Sequence, residues 1–123
     1  MNPFTAMKKV FLFMVSIVTF SRGKGMVADE VLRAAHIAVE NRAIIIDVRT
    51  TSEYMSGHIK NSINIPLQQI EQHFKGMVSN DTEIVVYCRR GNRSQVAARY
   101  LEQKGYKVYD VATQKEWERA YRK

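Results

Sequence analysis

Apolar and polar positions along the chain switch repeatedly between helical and extended spacing. From Asp29 to Glu40 the apolar residues Val31, Leu32, Ala35 and Val39 recur at the period of an amphipathic helix. Ala43-Ile44-Ile45-Ile46-Asp47-Val48 is almost wholly apolar, the pattern of a strand covered on both faces. Thr50 and Glu53 have the spacing of a capping box and predict a short helix through Tyr54 and Met55, ended by Gly57. An extended piece follows from His58 to Pro66, with Ile63 and Ile65 at period two. Leu67 to Lys75 then carries Leu67, Ile70 and Phe74 on one helical face. After the polar Ser79-Asn80-Asp81 comes a second buried strand, Ile84-Val85-Val86-Tyr87-Cys88. Ser94 opens a helical pattern that runs to Lys104 and stops at Gly105. Tyr106 to Val111 reads as a last strand, and Gln114 to Tyr121 as a closing helix with Trp117 and Tyr121 on one face. Helices alternating with short apolar strands predict an α/β fold, a central parallel sheet flanked by helices on both faces.

Composition narrows this picture. A chain of 123 residues holds one good core and is too short for two. The net charge of +7 is uneven: Lys8, Lys9, Arg22 and Lys24 stand among the first 25 residues with no acid. From Met26 onward 15 Lys and Arg face 12 Asp and Glu, so the body is only +3. That balance weakens a nucleic-acid reading and is explained as well by a mildly basic surface with a local anion site. Residues 1–25 read as a signal peptide or extension ahead of a domain at 26–123. Met7-Lys8-Lys9 followed by the 11 residues Val10–Phe20 has the shape of an export signal, too short to span a bilayer. It implies a periplasmic protein without a stable membrane anchor. The alternative is an uncleaved extension, or a cytoplasmic protein beginning at Met26.

The chemistry concentrates at the single cysteine. Cys88 ends the second strand and is followed by Arg89-Arg90-Gly91-Asn92-Arg93-Ser94, a basic loop with one glycine that leads into a helix. Strand, tight loop and helix start aim backbone N–H groups at whatever lies over the loop. Those donors and the arginines favour negative charge on sulfur and recruit an anion. A lone cysteine at a strand end is otherwise a small buried hydrophobe.

Two blocks give the chain a specific resemblance. The first is Asp47-Val48-Arg49, Glu53-Tyr54, Gly57-His58-Ile59 and Asn64-Ile65-Pro66; the second runs from Val86 to Ser94, with Ala97 and Leu101 in the helix beyond. In order and spacing they resemble a single-domain rhodanese, a thiosulfate sulfurtransferase. With the N-terminal signal, the likeness is to the small periplasmic type of that family. The resemblance implies that Cys88 carries sulfane sulfur as a persulfide, and that Arg89, Arg90, Gly91, Asn92, Arg93 and Ser94 form the substrate-binding loop. The expected partners are a small anionic sulfur donor and a thiophilic acceptor such as cyanide or a thiol. That chemistry needs no cofactor or metal, and no nucleic acid is expected. Of the oligomeric states, which the sequence does not fix, a monomer is the expectation. A non-catalytic rhodanese module for binding or sulfur sensing is an alternative. Cysteine-dependent phosphatases and arsenate reductases are a further one, but phosphatases carry Cys-x5-Arg, whereas Cys88 to Arg93 spans six residues, Cys-x4-Arg.

The remaining polar residues are read structurally. Asp47 and Arg49 are expected to form an ion pair that supports the site, Glu53 to cap a helix, and Trp117 to fill the core. His58 is expected to bond a turn, and nothing pairs His36 with His73 as metal ligands. The family pattern has two glycines five and four residues before Trp117, where this chain has Ala112-Thr113. Without those glycines the floor beside the loop is expected to be reshaped.

Overall fold

Four parallel strands, β1 (Ile44–Asp47), β2 (Ile63–Asn64), β3 (Ile84–Cys88) and β4 (Val108–Thr113), form the sheet in the order β2-β1-β3-β4. The computed structural model describes residues 26–77 and 81–120; the expected export signal, Ser79, Asn80 and Tyr121 lie outside the described residues. Helix α1, Asp29–Glu40, begins with two acids at the positive end of its dipole. Strand β1 is Ile44–Asp47, and α2, Thr51–Met55, carries the expected capping box between Thr50 and Glu53. The extended piece narrows to a two-residue edge strand, β2, Ile63–Asn64. Helix α3 is Leu67–Phe74, β3 is Ile84–Cys88, α4 is Asn92–Gln103, β4 is Val108–Thr113 and α5 is Gln114–Arg119.

The sheet is covered on both faces, as the uninterrupted apolar strands require. On one face Ile46, Ile84, Val86 and Cys88 pack against Ile70 and Phe74 of α3 and Ala97, Ala98 and Leu101 of α4. On the other, Ile45, Val85, Tyr87 and Val111 pack against Leu32 and Ala35 of α1 and Trp117 of α5. His36 stacks on Trp117 with ring centroids 3.5 Å apart and meets its carbonyl through Nε2 at 2.9 Å, a packing role. His58 stacks on Tyr54, and its Nδ1 lies 2.9 Å from the Tyr54 carbonyl.

The start of α4 and the end of β4 also differ from the expectation, each for a local reason. Helix α4 begins at Asn92, not Ser94, because Gly91 takes a left-handed conformation (φ 95°) and turns the chain two residues earlier. Strand β4 runs to Thr113, not Val111, because it bulges: Val86 faces Asp110, while the next residue, Tyr87, faces Ala112.

One fully buried charge knits these elements together. Asp47 at the end of β1 accepts bonds from the Arg49 backbone (2.9 Å) and guanidinium (2.6 Å at the closest) and from the Tyr87 hydroxyl (2.6 Å). Arg49 also donates to the Gly57 carbonyl at 2.7 Å, fixing the end of α2. Asn64 Nδ2 donates to the carbonyls of Asp47 and Arg49, both at 3.0 Å, which docks the edge strand. The Tyr87 hydroxyl in turn accepts the Ile59 N–H at 3.0 Å and lies 3.2 Å from Ser62 Oγ. Burial, reinforced by its bond to Asp47, pushes the Tyr87 hydroxyl up to about 12, so it remains a donor at working pH.

Tyr87→Phe keeps the ring but leaves the buried Ile59 N–H without its acceptor and removes a donor from Asp47. The expected cost is about 1–3 kcal/mol. Urea titration should show a lower midpoint at an unchanged m-value.

Candidate active site

Strand β3 delivers Cys88 to the carboxyl edge of the sheet, the side on which open α/β sheets bind their ligands. The residue is 2% exposed and forms the base of an open cleft of about 260 Å³. Glu53, Arg89, Arg90, Asn92 and Arg93 line the rest of it. Arg89, Arg90 and Asn92 are exposed at the rim, while Gly91 and Ser94 are buried beneath.

The two buried loop residues act on the sulfur. The N–H groups of Gly91 (3.0 Å) and Ser94 (3.3 Å) both donate to Cys88 Sγ. The thiol form donates to Ser94 Oγ at 3.5 Å, and the Ser94 hydroxyl donates to the Gly91 carbonyl at 3.1 Å. Ser94 is thus the third residue of α4, not its cap, and its N–H is one that no helix can satisfy internally. The loop wraps its cysteine because Gly91 is left-handed; only then do two amides three residues apart converge on one atom. Donors in that position stabilise sulfur as an anion, the form that is nucleophilic.

The arginines divide into two kinds. Arg93 reaches across to α2 and grips Glu53 with two bonds, Nη1 to Oε1 at 2.7 Å and Nη2 to Oε2 at 3.0 Å. Glu53 is held in turn by the Thr50 N–H at 3.0 Å and the Thr50 hydroxyl at 3.1 Å. Arg93 and Thr50 together hold the Glu53 carboxyl down at about 2. Glu53 therefore does more than cap a helix: it stands in the wall of the cleft as a permanent negative charge. The pairing joins residues 40 apart and left no signal in the local pattern, which was sufficiently explained by the capping box. Asp47 and Arg49 lie outside the cleft lining and form an ion pair at 2.6 Å, joined to the loop through Tyr87 next to Cys88. Among the described residues, no group of three or more His, Cys, Asp or Glu could hold a metal ion, and no helix is long and apolar enough to cross a membrane.

The floor of the loop is set by Ala112. It adopts φ 65°, a left-handed conformation that costs a residue with a side chain about 1–2 kcal/mol. The bulge makes room for it, and the Asp110 carboxylate accepts its N–H at 2.9 Å. A β-carbon placed on Gly91 would come within 3.2 Å of the Ala112 methyl. Alanine thus takes a left-handed backbone, a conformation glycine adopts readily, and places a methyl beneath the loop.

Known proteins resemble this chain in sequence and in fold. Residues 28–117 match the model of the rhodanese-like domain. The chain is 36% identical over 78 residues to the adenylyltransferase and sulfurtransferase uba4 of Ogataea parapolymorpha, covering 63% of this chain and 20% of that one. It is 37% identical over 73 residues to the thiosulfate sulfurtransferase GlpE of Pseudomonas savastanoi pv. phaseolicola, covering 58% of this chain and 68% of that protein. The human single-domain sulfurtransferase TSTD1 superposes with a TM-score of 0.62 at 24% identity, over 79% of this chain and 97% of that one, a likeness of fold. The chain spans between 18% and 34% of the length of the first curated relatives it matches.

Gly91→Ala should cost both stability and loop geometry, by about 1–2 kcal/mol from its φ alone. In an Ala112→Gly background the methyl it meets is gone, so part of that loss should return. A double-mutant cycle on chemical denaturation should give a coupling of about 0.5 kcal/mol or more.

Proposed function

We propose, since the chain belongs to the rhodanese-like domain family, that it is a sulfurtransferase working through a Cys88 persulfide. It takes sulfane sulfur from thiosulfate or a similar small anionic donor and passes it to a thiophilic acceptor such as cyanide or a thiol. The observation that carries this reading is the aim of the Gly91 and Ser94 amides at the Cys88 sulfur, at the base of a cleft edged by arginines.

The reaction divides into two halves. Cys88 thiolate attacks the outer sulfur of the donor; a sulfur–sulfur bond forms at Sγ as the donor's own sulfur–sulfur bond breaks. The electron pair of the broken bond leaves with sulfite. The acceptor then attacks the outer sulfur of the Cys88 persulfide, and the thiolate is regenerated. Covalent storage between halves gives ping-pong kinetics. Loop amides aimed at the developing sulfur anion are the equivalent of oxyanion-hole donors, whose deletion elsewhere costs about 2.7–4 kcal/mol each. Arg89 and Arg90, exposed and, among the described residues, in no ion pair with a carboxylate, attract the donor. The loop of six residues from Cys88 to Arg93 supports sulfur transfer over phosphoryl chemistry, because a shorter loop offers a smaller cradle.

Cys88→Ser should abolish thiocyanate formation from thiosulfate and cyanide while the fold is retained by circular dichroism. Wild-type protein treated with thiosulfate should gain about 32 Da, one sulfur atom, by intact mass, and the variant should not. Hydrolysis of a small aryl phosphate at a comparable rate would transfer the site to the phosphatase reading. We further infer export to the periplasm from Met7 to Phe20; recovery of the protein in a periplasmic fraction, with a shortened N-terminus, is the expected outcome.

A further inference from the structure

The carboxylate in the wall of the anion cleft is unexpected for a site that collects anions. The cleft is lined by three guanidinium groups, those of Arg89, Arg90 and Arg93, and by one carboxylate, that of Glu53. Arg93 spends both terminal nitrogens on Glu53, at 2.7 and 3.0 Å. Arg49, near enough to oppose the charge of Arg93, is itself neutralised by Asp47 at 2.6 Å. With Cys88 as the attacking thiolate, the lining keeps one net positive charge. A donor with one negative charge cancels it; a dianion leaves the cleft negative, beside the thiolate it must approach.

Resting on the sulfur-transfer reading, we infer that Glu53 is a specificity-determining residue that turns the site toward singly charged sulfane-sulfur donors, of the thiosulfonate or organic persulfide class, and away from dianions. The step on such a donor balances in the same way. Cys88 thiolate and a thiosulfonate RSO2S⁻ give the Cys88 persulfide anion and a sulfinate RSO2⁻, with the electron pair of the broken sulfur–sulfur bond leaving on the sulfinate. Glu53 touches neither reacting sulfur; it acts through the field in the cleft and through its hold on Arg93. Its fixed position in the capping box makes that field constant, and its carboxyl, near 2, carries the charge at any assay pH.

Methanethiosulfonate tests this directly, because it is thiosulfate with one charged oxygen replaced by a methyl group. Both donors are assayed with cyanide as acceptor, and in a ping-pong scheme kcat/KM for the donor reports the first half-reaction alone. Glu53→Gln keeps the cap on Thr50 and removes the charge, since glutamine serves at that position of a capping box. It should lower the ratio of kcat/KM for methanethiosulfonate over thiosulfate about tenfold, the value of one unit charge several ångströms away in a half-exposed site. The change should fall mainly in KM for thiosulfate. Glu53→Asp, which keeps the charge, should hold the wild-type ratio. Asn92→Lys, at an exposed position on the cleft rim, adds a positive charge without touching the cap and should lower the ratio in the same direction. A ratio that stays level or rises in both Glu53→Gln and Asn92→Lys overturns the inference, as does a Glu53→Asp shift equal to that of Glu53→Gln. Failure of the wild type to take a sulfur adduct from either donor would instead overturn the sulfur-transfer reading beneath it.

Discussion

The position of the cysteine depends on a buried carboxylate it never touches. Asp47 and Tyr87 are partners across two neighbouring parallel strands, and their side chains bond at 2.6 Å. Tyr87 directly precedes Cys88, so the bond fixes the last turn of backbone before the reactive loop. Arg49 neutralises Asp47 and reaches on to Gly57, which ties the end of α2 to the same point. A buried ion pair is weak evidence for stability, because desolvation offsets much of the attraction. Its value here is geometric. Three segments, the ends of β1 and β3 and the turn after α2, are joined through this carboxylate and its arginine, and removing Arg49 would leave a buried charge uncompensated.

The loop itself is held by shape as much as by bonds. Gly91 and Ala112 are both left-handed, and they face each other across the gap between loop and sheet. The first must be so to turn two amides onto one sulfur. The second must be so because β4 bulges at that point and re-aims its backbone. Each conformation is costly or reserved for glycine in isolation, and each persists because the other side of the gap is fixed. Strain at a site of this kind marks where the surrounding structure over-determines the chain. The Ala112 methyl makes the fit closer and leaves less freedom for the loop to relax.

Much of this architecture was legible in the sequence because the burial of parallel strands on both faces leaves a plain apolar signal. Ile44–Asp47 and Ile84–Cys88 show it, and the capping box of Thr50 and Glu53 is a spacing that reads directly. The edge strand was overestimated, since Ile63 lies at the sheet margin, 45% exposed, and only two residues pair there. The start of α4 was misplaced because serine is a common cap, while a left-handed glycine gives no periodic signal. The double duty of Glu53 was hidden for a different reason. Its role in the cap already accounted for its presence, and its partner Arg93 lies 40 residues away, brought near only by the fold.

That double duty separates two uses of arginine around one thiol. Arg49 and Arg93 are bound by carboxylates in fixed, bidentate geometry, for which the planar guanidinium is suited. They build the site. Arg89 and Arg90 stand exposed at its mouth, where charge steers an arriving anion but is screened by salt and contributes little to fixed binding. The cleft therefore draws anions in over a distance with more positive charge than it offers at contact. An anion that needs strong compensation meets a carboxylate and a thiolate at the bottom, while one that needs little is matched. Attraction and selection are set by different residues, and the local sequence displays only the first of them.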